Sequence, residues 1–159
     1  MGWIRLVGAL LLALSGFAGA RWMNRGATET LGQVEGWLGL LRYARTQVDC
    51  FALPVSVILS RADASLLRRC GYGGAAAPES FEALLRQCAI RDGETARLLQ
   101  GFAEEFGRSY REEQSRGCDY YVSLLDERRE ALLAQLPARK RINSALCISG
   151  ALAILILLI

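Results

Sequence analysis

Histidine is absent from this 159-residue chain. That removes the commonest general base, the usual activator of a nucleophile and the commonest metal ligand. The five cysteines (Cys50, Cys70, Cys88, Cys118 and Cys147) never approach C-x-x-C spacing. An odd and scattered set argues against a disulfide framework or a zinc site, and reads as small apolar fillers in a reducing compartment. No P-loop, Gly-rich dinucleotide fingerprint or nucleophile elbow is present. The Gly-rich stretch at 71–74 lacks the Lys-Ser/Thr ending that phosphate cradling needs, so it reads as a linker. Acidic residues are plentiful, but no two of them stand out as a matched acid and base. No catalytic, cofactor-binding or metal-ligating residue is therefore nominated, and no cofactor. A membrane enzyme would have to work through carboxylates or thiols with no visible site.

Charge of one sign is not in excess either. Between positions 21 and 141 there are 18 basic and 16 acidic residues, which gives no electrostatic footprint for nucleic acid. Long apolar runs, by contrast, are present at both ends. Residues 142–159 are almost wholly apolar and follow Arg139-Lys140-Arg141. At about 1.5 Å per residue that run has the length to cross a hydrocarbon core of about 30 Å. A second run, 3–20, opens the chain, with Trp3 and Trp22 placed as interfacial anchors. The reading is an N-terminal transmembrane helix at 1–22, a helical domain at 23–138 and a C-terminal transmembrane helix at 139–159. About 120 residues between the spans suffice for one modest domain with its own core.

Arg21 and Arg25 follow the first run, and Arg139, Lys140 and Arg141 precede the last. The positive-inside rule puts both flanks, and the domain between them, in the cytoplasm. The first run also resembles a signal peptide with Ala18-Gly19-Ala20 as its cleavage site. Cleavage would export the domain and set three cations on the wrong side of the second span. Small residues four apart (Ser15/Gly19, Gly16/Ala20, Ala145/Ser149 and Ser149/Ala153) permit close packing of the two spans without demanding it.

The polar middle reads as helices throughout, with no β-period segment. Leu31, Val34, Leu38, Leu41 and Val48 make one apolar face over 28–50, interrupted at Arg45. Pro54 suits a first helical position, with the helix continuing through Val55, Ile58, Leu59, Leu66 and Leu67 to Cys70. After a loop at 71–77, Pro78-Glu79 reopens a helix carrying Phe81, Leu84, Leu85 and Cys88. Asp92 is a candidate N-cap for a helix with Leu98, Leu99, Phe102 and Phe106, which Gly107 closes. Ser109-Tyr110-Arg111-Glu112 reads as a capping box for the last helix, which carries Tyr121, Leu124, Leu125, Leu132 and Leu136 and is interrupted at Pro137. The sum is an all-α domain of five or six helices in antiparallel hairpins. Glu104/Arg108 and Glu112/Arg116, four apart, read as solvated helix faces, with an electrostatic docking face as the rival reading.

Three strings, in this order and spacing, are similar to the stage III sporulation protein AB family. Leu38-Gly39-Leu40-Leu41-Arg42-Tyr43 leads into Leu53-Pro54. Phe102-Ala103-Glu104-Glu105-Phe106-Gly107-Arg108-Ser109 precedes Glu112-Glu113-Gln114. The apolar tail is Gly150-Ala151-Leu152-Ala153-Ile154-Leu155-Ile156-Leu157-Leu158. The chain departs from that pattern at Val55-Ser56, Arg108 and Pro137. The resemblance implies a domain like the cytoplasmic domain of the type II secretion inner-membrane platform protein. It further implies a non-enzymatic adaptor in the transenvelope channel between mother cell and forespore. The implied partners are a secretion-type ATPase (stage III sporulation protein AA), other stage III channel proteins and the membrane, with room for a homo-oligomer. The implied site is the mother-cell face of the outer forespore membrane. Two alternatives stand beside it: a reduced type II secretion or pilus platform subunit, and an exported, tail-anchored helical domain released by cleavage after Ala20.

Overall fold

The computed structural model describes the backbone of residues 2–51, 53–108 and 110–158, and their side chains except at 2–17, 20, 22–24, 139, 148 and 151–158. Among the described residues the protein is all-α. Its helices are α1 (Gly2–Phe51), α2 (Val55–Arg61), α3 (Ala64–Arg69), α4 (Phe81–Gln87), α5 (Gly93–Glu105) and α6 (Arg111–Leu158). The apolar ends are continuous with α1 and α6 rather than separate elements. The chain divides into two compact units, Thr30–Ala131 and the pair of end segments Met1–Glu29 with Leu132–Ile159.

In the unit Thr30–Ala131, α1 buries more than the one face its leucine rhythm predicts. Trp37, Leu40 and Ala44 are fully buried beside Val34, Leu38, Leu41 and Val48. Gly36 and Gly39 lie against α3. A Cβ on Gly36 would come within 2.8–2.9 Å of Arg69 backbone and Cβ atoms, and one on Gly39 would meet Leu66 at 3.1 Å. Glycine at 36 is therefore a packing device, since only a residue without Cβ lets the two backbones approach so closely. Alanine there is expected to destabilise the fold by about 1–2 kcal/mol despite its better helix propensity. Gly32, also helical and with nothing within 4 Å of a built Cβ, should instead tolerate or gain from alanine. Thermal unfolding of both variants checks this; equal effects would remove the close-approach argument.

The helix ends correct several of the sequence-based boundaries. A single helix from Pro54 to Cys70 is expected, but the chain breaks at Ala62–Asp63, where the Asp63 carboxylate accepts from Ser65 N at 2.6 Å and caps α3. Pro54 itself is the N-cap of α2, with its carbonyl accepting from Val57 and Ile58 N–H. The helix expected to reopen at Pro78-Glu79 begins at Phe81, because Ser80 Oγ accepts from Ala83 N at 3.1 Å. The acid in its first turn is Glu82, and Pro78 is buried in the preceding loop. Gly71 is a helix stop rather than part of a linker. At φ +99° it lets Tyr72 N donate to Leu67 O, while Gly71 N donates to Arg68 O. Asp92 caps α5 and Gly107, at φ +90°, ends it, as predicted. Ser109 of the expected capping box lies outside the described residues.

Pro137 does not interrupt the last helix: α6 runs through it to Leu158. A proline removes one N–H and so one bond, and a 48-residue helix retains its bonds on both flanks. Glu104 and Arg108 do not pair either, because Gly107 turns the chain between them. Glu104 accepts from Gln100, and Arg108 reaches Glu82 at 3.5 Å. Glu112 and Arg116, both within α6, do pair at 3.6 Å.

An aromatic cluster ties α4, α5 and α6 together. Phe81 meets Phe102 edge-on at 4.9 Å and Phe106 at 5.1 Å, and Phe102 meets Tyr121 at 5.6 Å.

In the end-segment unit, a Cβ on Gly19 would lie 3.8 Å from Cys147 Sγ, so α1 and α6 are in van der Waals contact there. Among the described residues, no helix is long and apolar enough to cross a membrane. Most of the side chains on which the two spans are read, including Trp3, Trp22, Ser15, Gly16, Ala20 and Ala153, lie outside the described residues.

Candidate docking surface

Within the unit Thr30–Ala131, α1 and α6 run antiparallel, held by a ladder of charged contacts. Glu35 pairs with Arg129 at 3.2 Å, Arg42 with Asp126, and Arg45 with Asp119 through two contacts at 2.6 and 3.0 Å. The last rung joins Arg111 to the carbonyl of Asp49, one of the acceptors that the end of α1 leaves without a helical partner. Arg45, the interruption in the leucine rhythm, is thus a rung. Its hydrogen bond to Asp119 raises its pKa further. These charges neutralise one another and leave little for a partner.

Beyond the last rung two large aromatic side chains are exposed. Phe51 is 66% exposed at the end of α1, and Tyr110, immediately before α6, is 88% exposed. Between them Val48, Leu53, Pro54, Val55, Gly107, Arg111 and Gln114 line a groove of about 350 Å³. The 22 α1 residues from Thr30 to Phe51 span about 33 Å, so this surface lies at the end of the unit away from its points of chain entry and exit. Large exposed aromatics beside a groove are the residue types that anchor protein interfaces. The sequence offers no sign of this, because Tyr110 reads there only as part of a capping box and nothing singles out Phe51.

The cysteines, tyrosine and aspartate whose pKa values are most displaced all move away from neutrality. Burial pushes the Cys118 thiol up to about 12 and Cys88 up to about 11, and Cys70 higher still. All three stay protonated and unreactive. Burial, then Glu105, pushes Tyr121 up to about 12. Asp92 moves the other way, held well below the carboxylate range by the Arg128 guanidinium and by Thr95. A displaced pKa marks a functional acid or base when it moves toward neutrality, and none of these does. Cys70 and Cys118 are buried, as fillers would be, Cys88 and Cys147 are half-buried, and Cys50, near the end of α1, is exposed. No cluster of three or more potential metal ligands occurs among the described residues.

The family model for stage III sporulation protein AB matches residues 5–159. The chain belongs to that family. It is a family of sporulation proteins rather than a known family of enzymes, and the match runs through both apolar ends as well as the helical unit. The resemblance read from the three sequence strings is thereby shown over essentially the whole chain. No curated protein and no solved structure matches it.

Proposed function

We propose that this chain is a non-enzymatic adaptor of the stage III sporulation channel between mother cell and forespore. Its apolar ends, 1–22 and 139–159, anchor it in the outer forespore membrane with the helical domain on the mother-cell side, in the cytoplasm. The exposed end of that domain, around Phe51 and Tyr110, docks a secretion-type ATPase, stage III sporulation protein AA, and other stage III channel proteins assemble around it. The observation that carries this reading is the family match over residues 5–159. A ladder of internally paired charges that gives way to exposed aromatics supports the choice of face. The soluble motor would grip apolar anchors, while the anchored ends transmit position to the membrane assembly.

Co-purification of the full chain in detergent with the cognate ATPase tests the reading. Binding in the micromolar range is expected. The double substitution Phe51→Ala/Tyr110→Ala should weaken it at least about tenfold, equivalent to about 1.4 kcal/mol. Both side chains are exposed, so the fold should be unaffected. Absence of binding by the folded wild type at tens of micromolar would sink the adaptor reading. Binding unchanged by the double substitution would sink the choice of face.

A further inference from the structure

Charge is segregated along this chain in a way that its near-neutral total conceals. The unit Thr30–Ala131 carries 13 basic and 15 acidic residues, whereas the end-segment unit carries six basic residues and a single acid, Glu29. Five of those six cations, Arg21, Arg25, Arg139, Lys140 and Arg141, lie in one short stretch of α1 and one of α6.

The contact between Gly19 and Cys147 sets the height of these stretches. Helix α1 leaves the unit at Glu29 and α6 enters it at Leu132, so the two run antiparallel there. At about 1.5 Å per residue, Arg21 stands about 3 Å and Arg25 about 9 Å from the contact along α1. Lys140 and Arg141 stand about 9–11 Å from it along α6, in the same direction. Arg25, Lys140 and Arg141 are all exposed and stand at one height, so three cations from two helices form one band, with Arg21 nearer the contact. Immediately on the other side of Arg141 the exposed residues of α6 are aliphatic: Ile142 is 57% exposed and Leu146 61%. Along α6 the exposed surface changes from cationic to aliphatic within about one helical turn.

Water alone suits the first part of that surface and not the second. A layer of lipid headgroups suits both, with phosphates against the cations and acyl chains against the aliphatic side chains. In the helical unit, arginines such as Arg42, Arg45 and Arg129 are matched by carboxylates. We propose that Arg25, Lys140 and Arg141, with Arg139 beside them in the chain, form a collar that binds the phosphate groups of anionic lipids in preference to zwitterionic ones. The inference rests on the membrane-anchored reading above. Its physical basis is the attraction of several juxtamembrane cations to an anionic surface, which fades within a Debye length.

The full chain, reconstituted into phosphatidylcholine vesicles with and without phosphatidylglycerol, tests it. Flotation reports insertion, and energy transfer from protein tryptophan to labelled lipid reports which headgroup gathers at the protein. Labelled phosphatidylglycerol is expected to be enriched at least about fivefold over labelled phosphatidylcholine at low salt. The enrichment should fall toward parity at high salt, and also in the variant Arg139→Gln/Lys140→Gln/Arg141→Gln. The salt arm uses the wild type and so stands even if the variant fails to fold. Failure to float would remove the membrane reading itself. Flotation with no anionic preference, or with one that neither salt nor the substitutions reduce, overturns the collar alone. Inorganic phosphate and chloride at matched ionic strength should displace the lipid equally; selective displacement by phosphate would overturn the collar in favour of a free-phosphate site.

Discussion

Replacing Asp92 with alanine is expected to destabilise the helical domain by about 2–4 kcal/mol, somewhat below the range for breaking a fully buried ion pair from one side, because this pair is partly open to water. Asp92 does two things at once. It caps α5 by accepting from Thr95 N at 2.9 Å and Thr95 Oγ1 at 2.7 Å, and it receives Arg128 Nε at 3.0 Å and Nη2 at 2.7 Å. The two side chains are only 14% and 19% exposed. Loss of the carboxylate removes a helix cap worth about 1 kcal/mol and leaves a desolvated guanidinium with Glu94 alone. Since the pair acts as a unit, Asp92→Ala and Arg128→Ala should be far from additive, with the double variant more stable than the sum of the singles implies. Additivity within about 0.5 kcal/mol would show that the pair is not coupled.

The same pair sets a pH dependence. Arg128 holds the Asp92 carboxyl below its ordinary value near 4, so the folded state binds its proton more weakly than the unfolded state does. The stability this contributes is complete above about pH 4 and declines as pH falls through the folded-state value. Thermal unfolding of the wild type in detergent should therefore weaken on acidification below about pH 4, and the Asp92→Asn variant should lack that component. The gap between the two is expected to narrow steadily from about pH 4 downward. A constant gap would mean that the proton is not linked to this site.

Asp92 also illustrates what a chain of letters can and cannot carry. Its capping role is local, written in Asp92, Gly93 and the apolar positions that follow, and it was legible. So was Gly107, whose conformation ends α5. The partner of Asp92 lies 36 residues away on α6, and no local pattern selects Arg128 over Arg129. The misplaced boundaries have the same origin. Pro78 looked like a helix start because proline suits a first turn, yet the side chain that satisfies the free N–H groups belongs to Ser80. Asp63-Ala64-Ser65 held a cap that the run of apolar residues on either side concealed. The exposed aromatic surface was not legible at all, since exposure of Phe51 and Tyr110 depends on where α1 stops relative to α6. Two helices sharing one cationic band were legible only as separate runs, and their common height required the Gly19–Cys147 contact.

The second large effect is expected at a residue whose sequence context suggests nothing. Gln33 lies on α1 with 8% of its surface exposed, and its amide is used in full. Its Nε2 donates to Cys70 O and to Ala89 O, both at 3.0 Å, and its Oε1 accepts from Arg91 N at 3.2 Å. One side chain thus fastens the end of α3 and the segment after α4 to α1, across 37 to 58 positions of sequence. Gly71 makes room for it, because a Cβ there would sit 2.6 Å from Gln33 Nε2. Gln33→Leu keeps the volume but leaves two carbonyls and one N–H without this partner. Since two of the three bonds are only partly buried, water offsets some of the loss, and a cost of about 2–4 kcal/mol is expected. For a domain of this size that lowers the unfolding midpoint by roughly 10–20 °C. Gln33→Glu is the sharper test. An ionised carboxylate offers no donor to either carbonyl, so this variant should be at least as damaged at neutral pH. It should then recover in part on acidification, as the protonated acid regains one donor. Acidification that leaves Gln33→Glu no better relative to Gln33→Leu would mean that the donors at this position do not hold the three segments together.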